Sequence, residues 1–167
     1  ERVFMREQYK AVLDILGICV YATKQSIDDY AAMLSSVTGV KYSSTKLLKI
    51  GRQVQNIEKA FNTLNAGFRR KDDYPPQRYY NEPVKSGPYK GERIDHAKWE
   101  KMLNEYYTLH GWDRKTSWQT KECLNELGLI EVADKLKKAD KLKNMSREEK
   151  SIYGKTKEQK FEVPYQW

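Results

Sequence analysis

Leu47, Ile50, Val54, Ile57, Phe61 and Leu64 recur at intervals of three and four residues, and no other stretch of this 167-residue chain restricts its fold so tightly. That spacing draws one continuous apolar line along a helix. Ser44 stands where an N-cap is needed, and Gly67 stands where such a helix stops. The line covers only about three heptads, so it reads as a helix laid on a core rather than as an independent coiled coil.

The surrounding sequence continues the helical pattern. Residues 2–13 look like the end of a helix. Ser26-Ile-Asp-Asp29 is a capping box that opens a helix with Tyr30, Met33, Leu34 and Val37 on one face, closed by Gly39. Residues 68–94 break the pattern, because Pro75, Pro76, Pro83, Gly87, Pro88 and Gly91 preclude regular helix there. Long connections of this kind are often functional or pack on a neighbour. Asp95 caps the next helix, with Trp99, Met102, Leu103, Tyr106 and Leu109 inward and Gly111 as stop. Thr120 caps a short helix, and Gly128 turns the chain into another that carries Leu129, Val132, Ala133 and Leu136. Ser146-Arg-Glu-Glu149 is a second capping box, expected to open a short exposed turn. Phe161–Trp167 has no helix signal and is expected to lie extended. No strand pair or internal repeat stands out. The expected fold is all-α, a multi-helical domain over residues 1–136 with a long irregular connection, followed by a basic tail extension over 137–167.

Charge is lopsided. Lys135–Lys160 holds ten Lys and Arg against four Asp and Glu, which is +6 of the net +8. Such a stretch is commonly a solvated face, and the sharper readings are nucleic-acid contact or an acidic protein partner. Aromatics are not interleaved with it as a base-stacking surface requires, which disfavours nucleic acid. No apolar run approaches the roughly 18 residues of a membrane span, and the charged start lacks a signal-peptide core. The chain has no initiator Met and begins in helical pattern, so it is expected to be a fragment. Two cysteines, Cys19 and Cys123, cannot build a disulfide framework, and a reducing, cytoplasmic setting is expected.

The chemistry concentrates in Asp14-Ile-Leu-Gly17-Ile18-Cys19. A carboxylate accepts strongly from N–H groups. Gly17 permits positive φ and a close backbone approach. A thiolate is the soft ligand of iron–sulfur clusters. On residue type alone, Asp14 is equally a helix-end Asp, and Cys19 a buried structural Cys in an apolar run. Cys123, in the third position of a helix, reads as structural. Arg69-Arg-Lys-Asp-Asp73 reads as a salt-bridged surface without catalytic role. His96 follows a helix cap, and His110 sits in a last turn where the helix dipole favours it.

Three segments in order resemble the C-terminal helical part of the tungsten-containing aldehyde:ferredoxin oxidoreductase family. They are Asp14-x-x-Gly17-Ile18-Cys19, Gly67-Phe-Arg-Arg-Lys-Asp-Asp-Tyr-Pro-Pro-Gln-Arg78, and Tyr106-Tyr107-x-x-His110-Gly111-Trp112-Asp113 followed by Leu124-x-x-Leu127-Gly128-Leu129. The similarity runs from about residue 9 to residue 136. It implies an oxidoreductase with tungsten, or molybdenum, held between two pterin dithiolenes beside a [4Fe–4S] cluster. It implies Asp14 on a pterin, with Gly17 and Ile18 at the same cofactor-binding turn, and Cys19 as the last of four cluster ligands. The other three belong to an upstream part of the same enzyme, so this segment alone is expected to be inert. Ferredoxin is the implied electron partner. No membrane partner is implied, and a homo-oligomer of the full enzyme is compatible with the pattern.

The sequence also departs from the family. After Trp112-Asp113 the usual Gly and Pro-Thr are replaced by Arg-Lys-Thr-Ser-Trp-Gln-Thr120. Two alternatives therefore stand beside the aldehyde reading. One is the tungsten subunit of a class II benzoyl-CoA reductase, and the other is a helical binding module with a basic nucleic-acid- or protein-binding tail.

Overall fold

The computed structural model describes residues 1–158, with side-chain surroundings through residue 154. Among the described residues there are eight α-helices and no strand. They are α1 (Arg2–Ile15), α2 (Ile27–Thr38), α3 (Ser44–Ala66), α4 (Arg78–Asn81), α5 (His96–His110), α6 (Lys121–Glu126), α7 (Ile130–Lys138) and α8 (Arg147–Glu158). The all-α expectation holds. Local chemistry sets most of the boundaries. The Ser26 hydroxyl accepts from the Asp29 N–H while the Asp29 carboxylate accepts from the Ser26 N–H, a complete capping box. Asp95 and Thr120 cap α5 and α6 in the same way from one side.

α3 is the spine of the domain, and it has two packing faces. Its first half meets α1 and α2, and its second half meets α7. At Gly51 the approach to α1 is backbone to backbone, since a Cβ there would stand 2.4 Å from the Gln8 carbonyl oxygen. Around that crossing Tyr9, Val12 and Leu13 of α1, Ile27, Tyr30 and Ala31 of α2, and Leu47 form one apolar core. A second core joins Leu103 and Tyr107 of α5 to Trp112, Cys123, Leu127, Met145 and Tyr153. A third joins Ala60 to Leu124, Ala133 and Leu136.

The core takes only part of the apolar line of α3. The buried positions of α3 are Leu47, Gly51, Asn56, Ala60 and Thr63. Ile57 is 48% exposed and Phe61 65% exposed. Close helix contact selects small side chains, so Gly51 and Ala60 mark the seams and the larger residues are displaced from them. For the same reason Met33 and Val37 of α2, and Met102 of α5, face outward instead of inward. The N-cap of α3 is Ser43, whose hydroxyl accepts from the Lys46 N–H at 3.2 Å, rather than Ser44.

Residues 68–94 contain only single turns, a 3-10 turn at Arg70–Asp73 and the one-turn α4. Their backbone closes on itself through Val84 N–H to the Glu92 carbonyl and Ile94 N–H to the Tyr79 carbonyl. The Ser146 capping box is present, yet it opens a twelve-residue helix rather than a short exposed turn. Tyr153 of α8 is buried in the second core, its hydroxyl 2.7 Å from Arg52 and 2.9 Å from Glu126. Lys141 donates to the Thr63 carbonyl, and Lys150 pairs with Glu122. Two cations of the basic segment, Lys141 and Lys150, thus bond to the rest of the domain. The extended conformation expected for Phe161–Trp167 lies outside the described residues.

Candidate functional site

The Asp14–Cys19 turn is a helix terminus with every cap bond made. Leu16 closes α1, and Gly17 follows at φ +71°. The Ile18 N–H donates to the Leu13 carbonyl at 2.9 Å, and the Gly17 N–H donates to the Asp14 carbonyl at 3.1 Å. This pair of bonds is the Schellman arrangement, which requires a left-handed residue where Gly17 stands. Ile18 packs back on the core that contains Leu13, which is the apolar contact that accompanies it. The chain then runs extended through Cys19 and tightens into a 3-10 turn at Val20–Ala22. Tyr9 fixes the far side of the connection by donating to the Gln25 carbonyl at 2.8 Å.

What this turn presents is exposed. The Asp14 side chain is 55% exposed and its Oδ2 lies 2.5 Å from Lys10 Nζ, one helical turn earlier. The Asp14 carboxylate holds the Lys10 ammonium above its usual range, with smaller contributions from Glu58 and Tyr21. Cys19 is an exposed free thiol, not the buried structural cysteine of the plain reading. Nothing stands within 4 Å of where a Gly17 Cβ would be. A carboxylate, an open backbone and a thiol are thus each exposed within six residues, the residue types that a pterin N–H group and an iron–sulfur cluster call for. Among the described residues no three His, Cys, Asp or Glu side chains converge as a metal site.

The other chemistry-bearing residues are turned inward. His110 is fully buried, stacked on Trp112 at 4.2 Å and close to Tyr106 and Phe4. Its Nε2 lies 3.4 Å from Glu7 Oε2, and that carboxylate accepts from the Tyr106 hydroxyl at 2.9 Å. Burial pushes the imidazole below its ordinary pKa, against the pull of Glu7. Packing in an aromatic cage therefore replaces the helix-dipole account of this residue. His96 stacks on Tyr74 at the start of α5. Cys123 is buried, and its thiol donates to the His110 carbonyl.

Arg70 is the hub of the long connection. Its guanidinium donates to Asn104 and the Arg114 carbonyl and pairs with Glu100, while its backbone N–H donates to the Thr116 carbonyl. The charged run is thus a tether rather than a free surface. A buried polar group that the sequence reading missed lies beside it. Asn56 Oδ1 accepts from Trp112 Nε1 at 2.9 Å, and the Asn56 carbonyl accepts from Gln119 Nε2 at 2.6 Å. The one weak signal was an Asn in the middle of an otherwise regular helix. The loop lacking the usual Gly and Pro contains Ser117 at φ +64°, which takes the left-handed conformation there.

Comparison with known proteins agrees with this geometry. Residues 1–129 match the family model of aldehyde ferredoxin oxidoreductase, domains 2 and 3. The tungsten-containing aldehyde ferredoxin oxidoreductase of Pyrococcus horikoshii is 37% identical over 131 residues, covering 77% of this chain and 21% of its own length. The Pyrococcus furiosus enzyme of the same description is 37% identical over 123 residues, covering 72% and 20%. An aliphatic sulfonate oxidoreductase, WOR-like subunit, of Pyrococcus furiosus is 27% identical over 144 residues, covering 83% and 23%. Among solved structures, a chain of the active-site complex BamBC of benzoyl coenzyme A reductase, bound to 1,5-dienoyl-CoA, superposes with a TM-score of 0.67 at 26% identity. That superposition covers 83% of this chain and 20% of the other. The chain spans about a fifth of the length of the curated relatives it matches. Over residues 1–129 and by its similarity to these enzymes, the chain belongs to the aldehyde ferredoxin oxidoreductase family.

Proposed function

We propose that this chain is the C-terminal helical part of a cytoplasmic tungsten–pterin, iron–sulfur enzyme that oxidises aldehydes and delivers the electrons to ferredoxin. When bound, the tungsten–pterin would supply two-electron chemistry and the cluster one-electron transfer. Asp14 would accept hydrogen bonds from the pterin's amino-pyrimidine N–H groups. Lys10 occupies Oδ2, and a carboxylate has about four lone-pair directions, so acceptor capacity remains. Cys19 would supply one thiolate to the cluster, with the other ligands coming from elsewhere in the same polypeptide. Gly17 leaves its surroundings open to a flat ring, and Ile18 anchors the turn on the core.

The observation that supports this reading is a hydrogen-bonded helix end at which Asp14 and Cys19 are both exposed. The aldehyde reaction is favoured over aromatic thioester reduction by 37% identity to the aldehyde enzymes against 26% to the benzoyl coenzyme A reductase chain. Lys135, Lys137 and Lys138 close α7 and are exposed, which suits an acidic ferredoxin. No described helix is long and apolar enough to cross a membrane.

Anaerobic purification of the full-length protein, with iron and tungsten measured on the same sample, tests the reading. About four irons and one tungsten per chain, with aldehyde-dependent ferredoxin reduction, are expected. A metal-free protein would sink it. A metal-loaded protein that reduces an aromatic thioester but leaves aldehydes untouched would transfer the reading to the reductase branch.

A further inference from the structure

Two residues of the apolar line of α3, Ile57 and Phe61, are left exposed by the domain that carries them, while Leu47, Ile50 and Leu64 pack on its cores. Ile57 is half exposed and Phe61 largely so, and Phe68, just past the end of the helix, is half exposed as well. Such a regular apolar line on a helix belongs against another surface, and contiguous exposed apolar patches mark contact sites. α3, which carries these residues, packs on α1, the helix that ends at the Asp14–Cys19 turn. Glu58, next to Ile57 and one turn before Phe61, is near enough to act electrostatically on Lys10, whose Nζ holds Asp14.

Two observations identify what covers it. The chain spans only about a fifth of the length of its curated relatives, and on the reading above the rest of the enzyme lies outside these residues. On that reading, the remainder must also reach the Asp14–Cys19 turn, because it carries the cofactors that Asp14 and Cys19 meet.

We propose that the Ile57–Phe61 face of α3, extended by Phe68, is the docking surface for the remainder of the same polypeptide, and that this apolar contact seats the Asp14–Cys19 turn against the cofactors. The inference rests on the proposed function and adds to it the surface that makes the turn usable. The occupant is apolar where it meets Ile57 and Phe61. A second copy of the chain is the rival occupant.

The test uses the full-length protein with two variants. Phe61→Cys reports accessibility through maleimide labelling, quantified by peptide mass spectrometry against Val37→Cys, a position 86% exposed on α2. Phe61→p-benzoylphenylalanine reports the neighbour by photocrosslinking. Labelling at position 61 slowed about tenfold or more relative to position 37 is expected, as for a site that reacts only on local opening. The crosslink is expected to join position 61 to a peptide outside residues 1–167 of the same chain. Labelling as fast as at position 37 would overturn the proposal, and so would a crosslink between two copies that doubles the mass on a denaturing gel. Iron and tungsten measured on the unsubstituted protein keep the two ideas apart. An intramolecular crosslink in a metal-free protein sinks the cofactor reading and leaves the docking, whereas a metal-loaded protein with an open position 61 sinks the docking alone.

Discussion

The α1–α2 region and the α5–α7 region use reactive side chains in opposite ways. Around α1, the core is apolar and the carboxylate and thiol of Asp14 and Cys19 point out of it. Around α5, Arg70 and Asn56 point in and spend their hydrogen-bonding capacity on the domain, and His110 is buried among aromatic rings. A side chain whose groups are all engaged internally holds structure. A rigidly mounted side chain that faces outward is available to something else. That contrast separates the candidate site from the rest of the molecule more sharply than residue type does.

The contrast can be broken by substitution. The largest effect is expected from Asn56→Ala, which strands the Trp112 indole N–H in a buried site while the Asn56 carbonyl still accepts from Gln119. Leaving a buried donor unpaired and opening a cavity should cost about 3 kcal/mol in urea unfolding followed by helix circular dichroism. A cost near zero would show that water or rearrangement replaces Asn56. Next comes Gly51→Ala, where the added methyl meets the Gln8 carbonyl at 2.4 Å and the α1–α3 crossing must open. Overpacking of this kind should cost about 2 kcal/mol.

A smaller effect is tied to pH. His110 has a depressed pKa in the folded state and an ordinary value near 6.5 when unfolded. Below pH 6.5 the unfolded chain therefore binds more protons at this residue, and stability falls as pH drops. The slope is at most about 1.4 kcal/mol per pH unit, softened by Glu7 and opposed to protonation by Arg52 and Lys59. Unfolding midpoints for the natural chain and His110→Gln between pH 7.5 and 5.5 should converge in slope only if another group carries the dependence. Gly17→Ala should cost about 1 kcal/mol, because φ is +71° and no neighbour obstructs the methyl. Smallest of all, Lys10→Met should leave the unfolding midpoint unchanged, as exposed ion pairs contribute little.

The sequence pattern predicts much of the helical framework, and the reason is local. Capping at Ser26, Asp95, Thr120 and Ser146, and stops at Gly39, Gly67 and Gly111, act over three or four residues and so can be read from neighbours. Which face each helix buries is set by partners distant in sequence. Apolar spacing nominated Ile57 and Phe61, whereas contact between helices selected Gly51, Asn56 and Ala60. The Asn56 network was hidden because its partners, Trp112 and Gln119, lie far along the chain. The turn at Asp14–Cys19 was legible as a helix end joined to metal-type donors. The cofactor role proposed for it rests on resemblance, because the described residues hold no second group for the carboxylate and thiol to meet.

The measurement that tests the account most directly is the iron and tungsten content of the full-length protein and its Cys19→Ala variant, purified side by side without oxygen. Cys19 is exposed and its side chain supports no core, so the variant should keep its helix content and unfolding behaviour while losing cluster iron. A variant that folds normally and retains the full complement of iron would contradict the assignment of this thiol as a cluster ligand.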